Sequence, residues 1–260
     1  MEGLFVWLTI HQILRVMLVV TLVNDTTSEI VSDLTSRGFA LTQGPLTQQE
    51  AADLVGRLGT VVPQTTGALA YDIMAHPGFE KVRDTRSAHT LRPHTEAPGQ
   101  NPPPRYLALH CRVQATCGGG QTMLADARDF VAGLSSSNER LVREAELYWP
   151  SYVEDSDVEG LWKPLVEQTE HGTINRLSCT LLQTGGYSED LDEPAGPQNP
   201  PLGAEGVELA QQALDFFQEN RVSVLIPEDA MLIWDNHRMF HARSSFTDTR
   251  RRLTRYWIAD

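Results

Sequence analysis

The residues with the clearest capacity for chemistry are His94-Thr95-Glu96, an imidazole and a carboxylate one residue apart, placed after Pro93 and ahead of a proline-rich stretch. Side chains two apart on an extended chain project from the same face, so this pair can grip a single ion. Taken alone the tripeptide is weak, and a surface or turn pair that binds nothing is the plain alternative. A further ligand is on offer where Trp234-Asp235-Asn236-His237-Arg238-Met239-Phe240-His241-Ala242-Arg243 leaves an apolar run. His241 is the favoured second imidazole, and spacing alone leaves His237 as its competitor. Two imidazoles and one carboxylate on one side of a metal leave three positions open, the arrangement used by non-haem iron(II) oxygenases. A structural zinc site would ask for four closing ligands, usually with sulfur.

A second kind of chemistry sits in Thr249-Arg250-Arg251-Arg252-Leu253-Thr254-Arg255-Tyr256-Trp257-Ile258. If this is a strand, Arg251 and Arg255 share a face with Leu253 and Trp257, while Arg250 and Arg252 point outward. A guanidinium among apolar side chains is costly unless a carboxylate meets it fork to fork, and a dicarboxylate ligand would do so. The bland reading is a solvated basic strand end.

Elements able to position these groups follow from patterning. Thr26 with Glu29 and Thr47 with Glu50 read as capping boxes opening two helices, which end at Gly38 and Gly59 with a short Phe39-Ala40-Leu41 strand between them. From about Leu91 the texture turns to short apolar or alternating runs: Tyr106 to Val113, Leu177 to Leu182, Val222 to Ile226, Met231 to Trp234 and Leu253 to Ile258, separated by Gly and Pro. This predicts antiparallel sheets packed face to face, with a helix from about Glu205 to Asn220 covering one of them. Residues Ala97 to Pro104 and Ser188 to Gly203 are polar and proline-rich and predict irregular loops, the second a lid.

A chain of 260 residues with 41% hydrophobic residues suits a single domain with a full core. We read residues 1–260 as one domain, with 1–16 as an extension ahead of the core. The apolar stretch from Gly3 to Val23 is interrupted by His11, Gln12 and Arg15, which disfavours a membrane span, and it lacks the basic start and small-residue cleavage site of a secretion signal. A formal charge of -13 argues against nucleic acid as partner. Any anionic ligand must therefore meet a locally positive pocket. Cys111, Cys117 and Cys179 form no CxxC pair and suit a reducing cytoplasm. Nothing in the residues sets an oligomeric state.

The chain resembles the taurine dioxygenase and clavaminate synthase-like superfamily of iron(II)/2-oxoglutarate oxygenases. The resemblance is carried by His94-x-Glu96, Gly118-Gly119-Gly120-Gln121-Thr122, His241-Ala242-Arg243 and Arg251-Arg252-Leu253-Thr254-Arg255, which together span residues from about 90 to 258. It implies a mainly β fold with flanking helices, the double-stranded β-helix or jelly-roll of the cupin-like proteins. It further implies iron(II) on His94, Glu96 and His241, and 2-oxoglutarate and O2 as cosubstrates. The far carboxylate of 2-oxoglutarate would pair with Arg251 and Thr122, with Arg255 in support. Glu96 stands where many members carry aspartate, and the clavaminate-like branch carries glutamate. The short interval between His241 and Arg251 leaves Arg252 and Arg255 as alternatives for the main contact.

The implied reaction is hydroxylation, or desaturation or cyclisation, of a small amino-acid-like metabolite in secondary metabolism, with release of succinate and carbon dioxide. Arg176 or Arg83 are candidates for a substrate carboxylate, and the acidic segment from Glu189 to Glu193 for a cationic amine. Two other classes remain open on the residues alone. A zinc-dependent hydrolase would use the same three ligands and an activated water but gives the inward arginines no role. A non-catalytic jelly-roll binding protein would leave the three ligand candidates and Thr122 as coincidence.

Overall fold

The computed structural model describes residues 27–42, 45–151, 159–192 and 200–260. The expectations for the Gly3 to Val23 stretch and for Thr26 as a cap lie outside these residues. In chain order the first elements are α1 (Thr27–Arg37), β1 (Phe39–Leu41), α2 (Gln48–Leu58), β2 (Thr60–Val62), β3 (Ala70–Ile73), β4 (Val82–Arg83), β5 (Leu91–His94), β6 (Tyr106–Val113) and β7 (Thr122–Asp126). There follow α3 (Ala127–Ala132), α4 (Ser136–Glu144), β8 (Leu147–Trp149), β9 (Leu161–Lys163), β10 (Val166–Thr169), β11 (Gly172–Asn175), α5 (Cys179–Thr184) and β12 (Glu189–Asp190). The chain closes with α6 (Gly203–Asn220), β13 (Val222–Val224), β14 (Met231–Asp235), β15 (Met239–Arg243) and β16 (Arg252–Ala259).

Two antiparallel sheets carry the fold. One runs β1-β14-β6-β16-β2, with β3 also paired to β16, and the other runs β13-β7-β15-β5. Strand alternation sorts their side chains as the pleat demands. Leu107, Leu109, Leu232, Trp234, Leu253 and Trp257 of the first sheet meet Leu124 and Met239 of the second in a shared core. The intervening residues Ala108, Met231, Ile233, Tyr256 and Ile258 face outward against Ile30, Leu34, Leu54 and Val55 of α1 and α2. On the second sheet Met123, Ala125, Phe240 and Ala242 face outward against Leu181, Leu209, Ala213 and Phe217 of α5 and α6. The result is the double-stranded β-helix, two facing sheets with helices on the outside.

Local chemistry explains where elements begin and end. Thr47 and Glu50 make the reciprocal capping box on α2. Gly38 ends α1 at φ 84, and a Cβ there would lie 2.4 Å from Met239 Sδ, so the turn into β1 requires glycine twice over. Arg238 binds the free carbonyls of Thr35 (3.0 Å) and Ser36 (3.2 Å) at the end of α1 and pairs with Asp126.

One expectation fails: Leu177 to Leu182 is not a strand. Ser178 caps a helix by accepting from Leu181 N–H at 3.1 Å, and Gly185 closes it in the left-handed region, so Cys179–Thr184 forms α5 with all-round burial at its start. The sequence signal was present in the Ser178 and Gly185 pair, and apolar continuity alone does not separate a buried helix from a buried strand. The proline-rich 97–104 segment has no helix or strand, as expected. It is held by side chains, with Asn236 Nδ2 donating to Pro104 O at 2.9 Å and Arg176 Nε to Pro98 O at 3.1 Å.

Candidate active site

His94 ends β5 and His241 sits at the middle of β15, and the two are direct partners in the antiparallel register. Their rings lie 4.1 Å apart between centroids. Two residues past His94 the chain brings Glu96 to the same face, with Glu96 Oε2 3.6 Å from His241 Nε2. One donor atom from each of His94, Glu96 and His241 lies within 4.8 Å of the other two. The three sequence-predicted ligands therefore converge as the strand pleat requires, because β15 presents His241 inward between the outward Phe240 and Ala242.

His237, the competitor, is elsewhere. It lies in the turn between β14 and β15 with Nε2 2.9 Å from Pro103 O and Nδ1 3.3 Å from an Arg105 nitrogen, holding the proline-rich loop. Asn236, which the sequence reading did not single out, clamps the backbone of Glu96 from both sides. Its Oδ1 accepts Glu96 N–H at 2.7 Å and its Nδ2 donates to Glu96 O at 3.0 Å. A polar residue beside a ligand candidate, at the exit of a buried strand, was the available signal.

The electrostatics leave His94 and Glu96 in donor form. Burial, reinforced by the neighbouring His241, pushes the His94 imidazole down to about 3, so it is neutral at physiological pH. Its Nδ1 lies 2.8 Å from Arg92 O, which assigns the proton to Nδ1 and leaves Nε2 as the lone-pair donor. Burial works against ionisation of Glu96, but Arg255 and the two imidazoles outweigh it and hold the carboxyl at about 2. Arg255 donates from Nη1 to Glu96 Oε1 at 2.8 Å and from Nε to Gln64 Oε1 at 2.7 Å. One carboxylate oxygen is thereby occupied, while the other faces His241.

The cavity next to these residues is lined also by Thr122, Trp234 and Arg251. Arg251 is 3% exposed and comes just ahead of β16 rather than within it. Its Nε donates to Gly120 O at 3.1 Å, and its Nη1 is buried without a hydrogen-bond partner. Burial depresses its pKa to about 10. A Cβ on Gly120, at φ 72, would lie 2.5 Å from Arg251 Nε, so the glycine makes room for the guanidinium. A buried cation with an idle donor at a cavity wall fits an anionic ligand. Arg243 neighbours it and bonds backbone carbonyls through Nη1 and Nη2, including Ser87 O at 2.6 Å and His89 O at 2.7 Å, while its Nε is buried without a partner. Arg250 and Arg252 face out, bonded to Asp248 and Asp72.

Two further expectations are corrected. Arg176 is buried at 1% exposure and is bonded to Glu167 and to the Pro98 carbonyl, so it is a packing cation away from the cavity lining. Glu189 is no free acid for an amine: it accepts from Arg83 Nε at 2.8 Å and from Arg92 Nη2 at 3.0 Å.

Residues 18–257 match the model of the family described as taurine catabolism dioxygenase TauD, TfdA family. Among solved structures, an asparagine oxygenase in complex with Fe(II), (2S,3S)-3-hydroxyasparagine and succinate superposes with TM-score 0.70 at 16% identity, over 90% of this chain and 78% of that one. The non-heme iron oxygenase OrfP in complex with iron, succinate and (3S)-hydroxy-L-arginine gives 0.64 at 18% identity, over 90% and 77%. PvcB, an iron, α-ketoglutarate dependent oxygenase from an isonitrile synthetic pathway, gives 0.61 at 15%, over 90% and 80%. At these identities the likeness carries the fold. No curated protein sequence matches the chain.

Proposed function

Since the chain belongs to the TauD/TfdA dioxygenase family, and is thus an iron(II)/2-oxoglutarate-dependent oxygenase, we propose that His94, Glu96 and His241 are its iron ligands and that it hydroxylates a small amino-acid-like substrate. Iron(II) held there would activate O2 with 2-oxoglutarate as co-reductant, releasing succinate and carbon dioxide and delivering one oxygen atom to the substrate.

What supports the assignment is one convergence, three donor atoms within 4.8 Å beside the buried, idle donor of Arg251. His94 presents Nε2, Glu96 presents the oxygen that Arg255 does not hold, and His241 presents Nε2 from the adjacent strand. An ion held by these three donors would keep positions for the cosubstrate and O2. Arg251 and Thr122 receive the distal carboxylate of 2-oxoglutarate. Arg255 contributes by orienting Glu96, since its Nη1 rests on that carboxylate. Arg251 also separates this reading from a zinc hydrolase, which would give the idle guanidinium nothing to do. The amino-acid class follows the hydroxyasparagine and hydroxyarginine held by the structural neighbours. A carboxylate ligand at Glu96 disfavours halogenation. We take residues 1–260 as one catalytic domain, with 188–203 as its lid loop and the cytoplasm as its compartment. No helix among the described residues is long and apolar enough to cross a membrane.

Anaerobic titration with iron(II) and then 2-oxoglutarate tests the centre. A weak visible charge-transfer band, lost in His241→Ala, is the expected result. Hydrolysis with zinc and no band with iron would refute it. Succinate release over an amino-acid panel, with a product sixteen mass units heavier, separates hydroxylation from desaturation or cyclisation.

A further inference from the structure

The mouth of the cavity carries a charge imbalance that the proposed reaction leaves unused. Arg83 on β4 and Arg92 on β5 both line the cavity, with side chains 22% and 25% exposed. Among the described residues each guanidinium pairs with one carboxylate, and it is the same one, Glu189 on β12. Arg83 gives Nε to Glu189 Oε2 and one Nη1 hydrogen to Thr90 O at 3.0 Å. Arg92 gives Nη2 to Glu189 Oε1 and Nη1 to Gln183 Oε1. A guanidinium has five N–H donors, so both retain spare ones. Asp84, which also lines the cavity, is itself bonded to Arg86 at 3.0 Å and 3.3 Å. Among the described residues the mouth therefore sets the two guanidinium groups of Arg83 and Arg92 against the one carboxylate they share.

Deeper in, Glu96 and the dianionic cosubstrate would be outweighed by iron(II), Arg251 and Arg255 together, so the interior supplies no anion to offset the mouth. An amino acid entering as a zwitterion brings no net charge and would leave the mouth one positive charge in excess. We propose that Arg83 and Arg92 form a carboxylate subsite, and that the substrate is a net-anionic amino acid, with an acidic side chain or an acylated amine. The subsite excludes a cationic side chain. This rests on the oxygenase reading and names its substrate class. Fork-to-fork pairing of guanidinium and carboxylate supplies both the affinity and the orientation.

The experiment is anaerobic calorimetry on protein loaded with iron(II) and 2-oxoglutarate. Its probes are L-aspartate against L-asparagine, L-glutamate against L-glutamine, N-acetyl-L-leucine against L-leucine, and L-arginine alone. In at least one pair the net-anionic member binds tenfold or more tightly than its partner and than L-arginine. Joint substitution Arg83→Gln and Arg92→Gln levels that pair, and Glu189→Gln widens it, because two cations then meet the ligand unopposed. Binding by none of the seven, preference for the neutral or cationic members, or a preference untouched by the double substitution overturns the proposal. If the double variant does not fold, Glu189→Gln decides: tighter anion binding supports the subsite, and unchanged or weaker binding overturns it. Failure of the oxygenase reading is distinct, for it would show as no visible band before any amino acid is added.

Discussion

Replacing Arg251 with methionine should weaken 2-oxoglutarate and leave the ligand-free protein as stable as before, or more so. In the ligand-free chain the guanidinium is 3% exposed, spends Nε on Gly120 O and has a buried Nη1 with no partner. The guanidinium faces the Phe246 ring at 5.0 Å but no carboxylate, and replacing buried charged groups by apolar ones of similar volume is often stabilising, by roughly 1–4 kcal/mol. Against this stands about 1 kcal/mol for the Gly120 carbonyl left without its donor. The balance lies between about zero and +3 kcal/mol, a midpoint rise of up to roughly 10 °C for a chain of this size at roughly 2–4 °C per kcal/mol. Cosubstrate binding moves the other way. Two charge-assisted hydrogen bonds to the distal carboxylate, at roughly 1.5–2 kcal/mol each, are lost, which is two to three powers of ten in affinity. Chelation at the metal and Thr122 remain, so binding is weakened and not abolished. Differential scanning calorimetry of the metal-free protein and anaerobic titration of the visible band measure the two quantities separately. A variant that loses 2 kcal/mol or more of stability while keeping its 2-oxoglutarate affinity would make Arg251 a structural residue and refute the reasoning.

Other outcomes follow from the same geometry. Asn236→Ala removes three hydrogen bonds that fix Glu96 and Pro104, and iron(II) affinity measured by competition with a chelator should fall roughly 10–100-fold. His237→Ala should cost roughly 1–3 kcal/mol in urea denaturation, through the lost contact with Pro103 O, with iron(II) affinity within a few-fold of the parent; His241→Ala should abolish binding. Cys117 is exposed, and backbone N–H groups, Thr247 first, bring its thiol down to about 7, whereas burial pushes Cys111 up to about 11 and Cys179 up to about 12. Because the thiolate is the reactive form, iodoacetamide labelling followed by mass spectrometry should show Cys117 alone modified, its rate rising through an inflection near pH 7. Equal labelling of the three thiols would contradict this.

How much was readable beforehand differs by kind of interaction. Strand alternation put Arg255 on the face of Leu253 and Trp257, since this depends only on the pleat. The choice between His237 and His241 did not follow from spacing. It depends on where β14 turns, which leaves His237 in the turn and returns the chain as β15 before His241 is reached. Arg255 was legible as buried but not as the partner of Glu96, a pairing across sequence-distant strands that only the register of β16 on β6 sets. Glu189 was misjudged for a related reason. An acidic loop looks solvated until its strand is known to pair with Val82–Arg83, and that two-residue ladder has almost no periodicity to announce it. Leu177 to Leu182 shows that apolar continuity loses to a capping serine and a terminal glycine.

Strand β5 is the outermost member of its sheet and only four residues long, and its register with β15 is irregular between His241 and Arg243. Such a margin is ordinarily the first part of a sheet to fray. An ion gripped jointly by its last residue and by the strand beside it would act as a clasp, so that peeling the margin away would mean surrendering the ion as well. Iron loading should then slow amide hydrogen exchange in Leu91–His94 out of proportion to the rest of the sheet, making the cofactor a fastener of the segment that presents it.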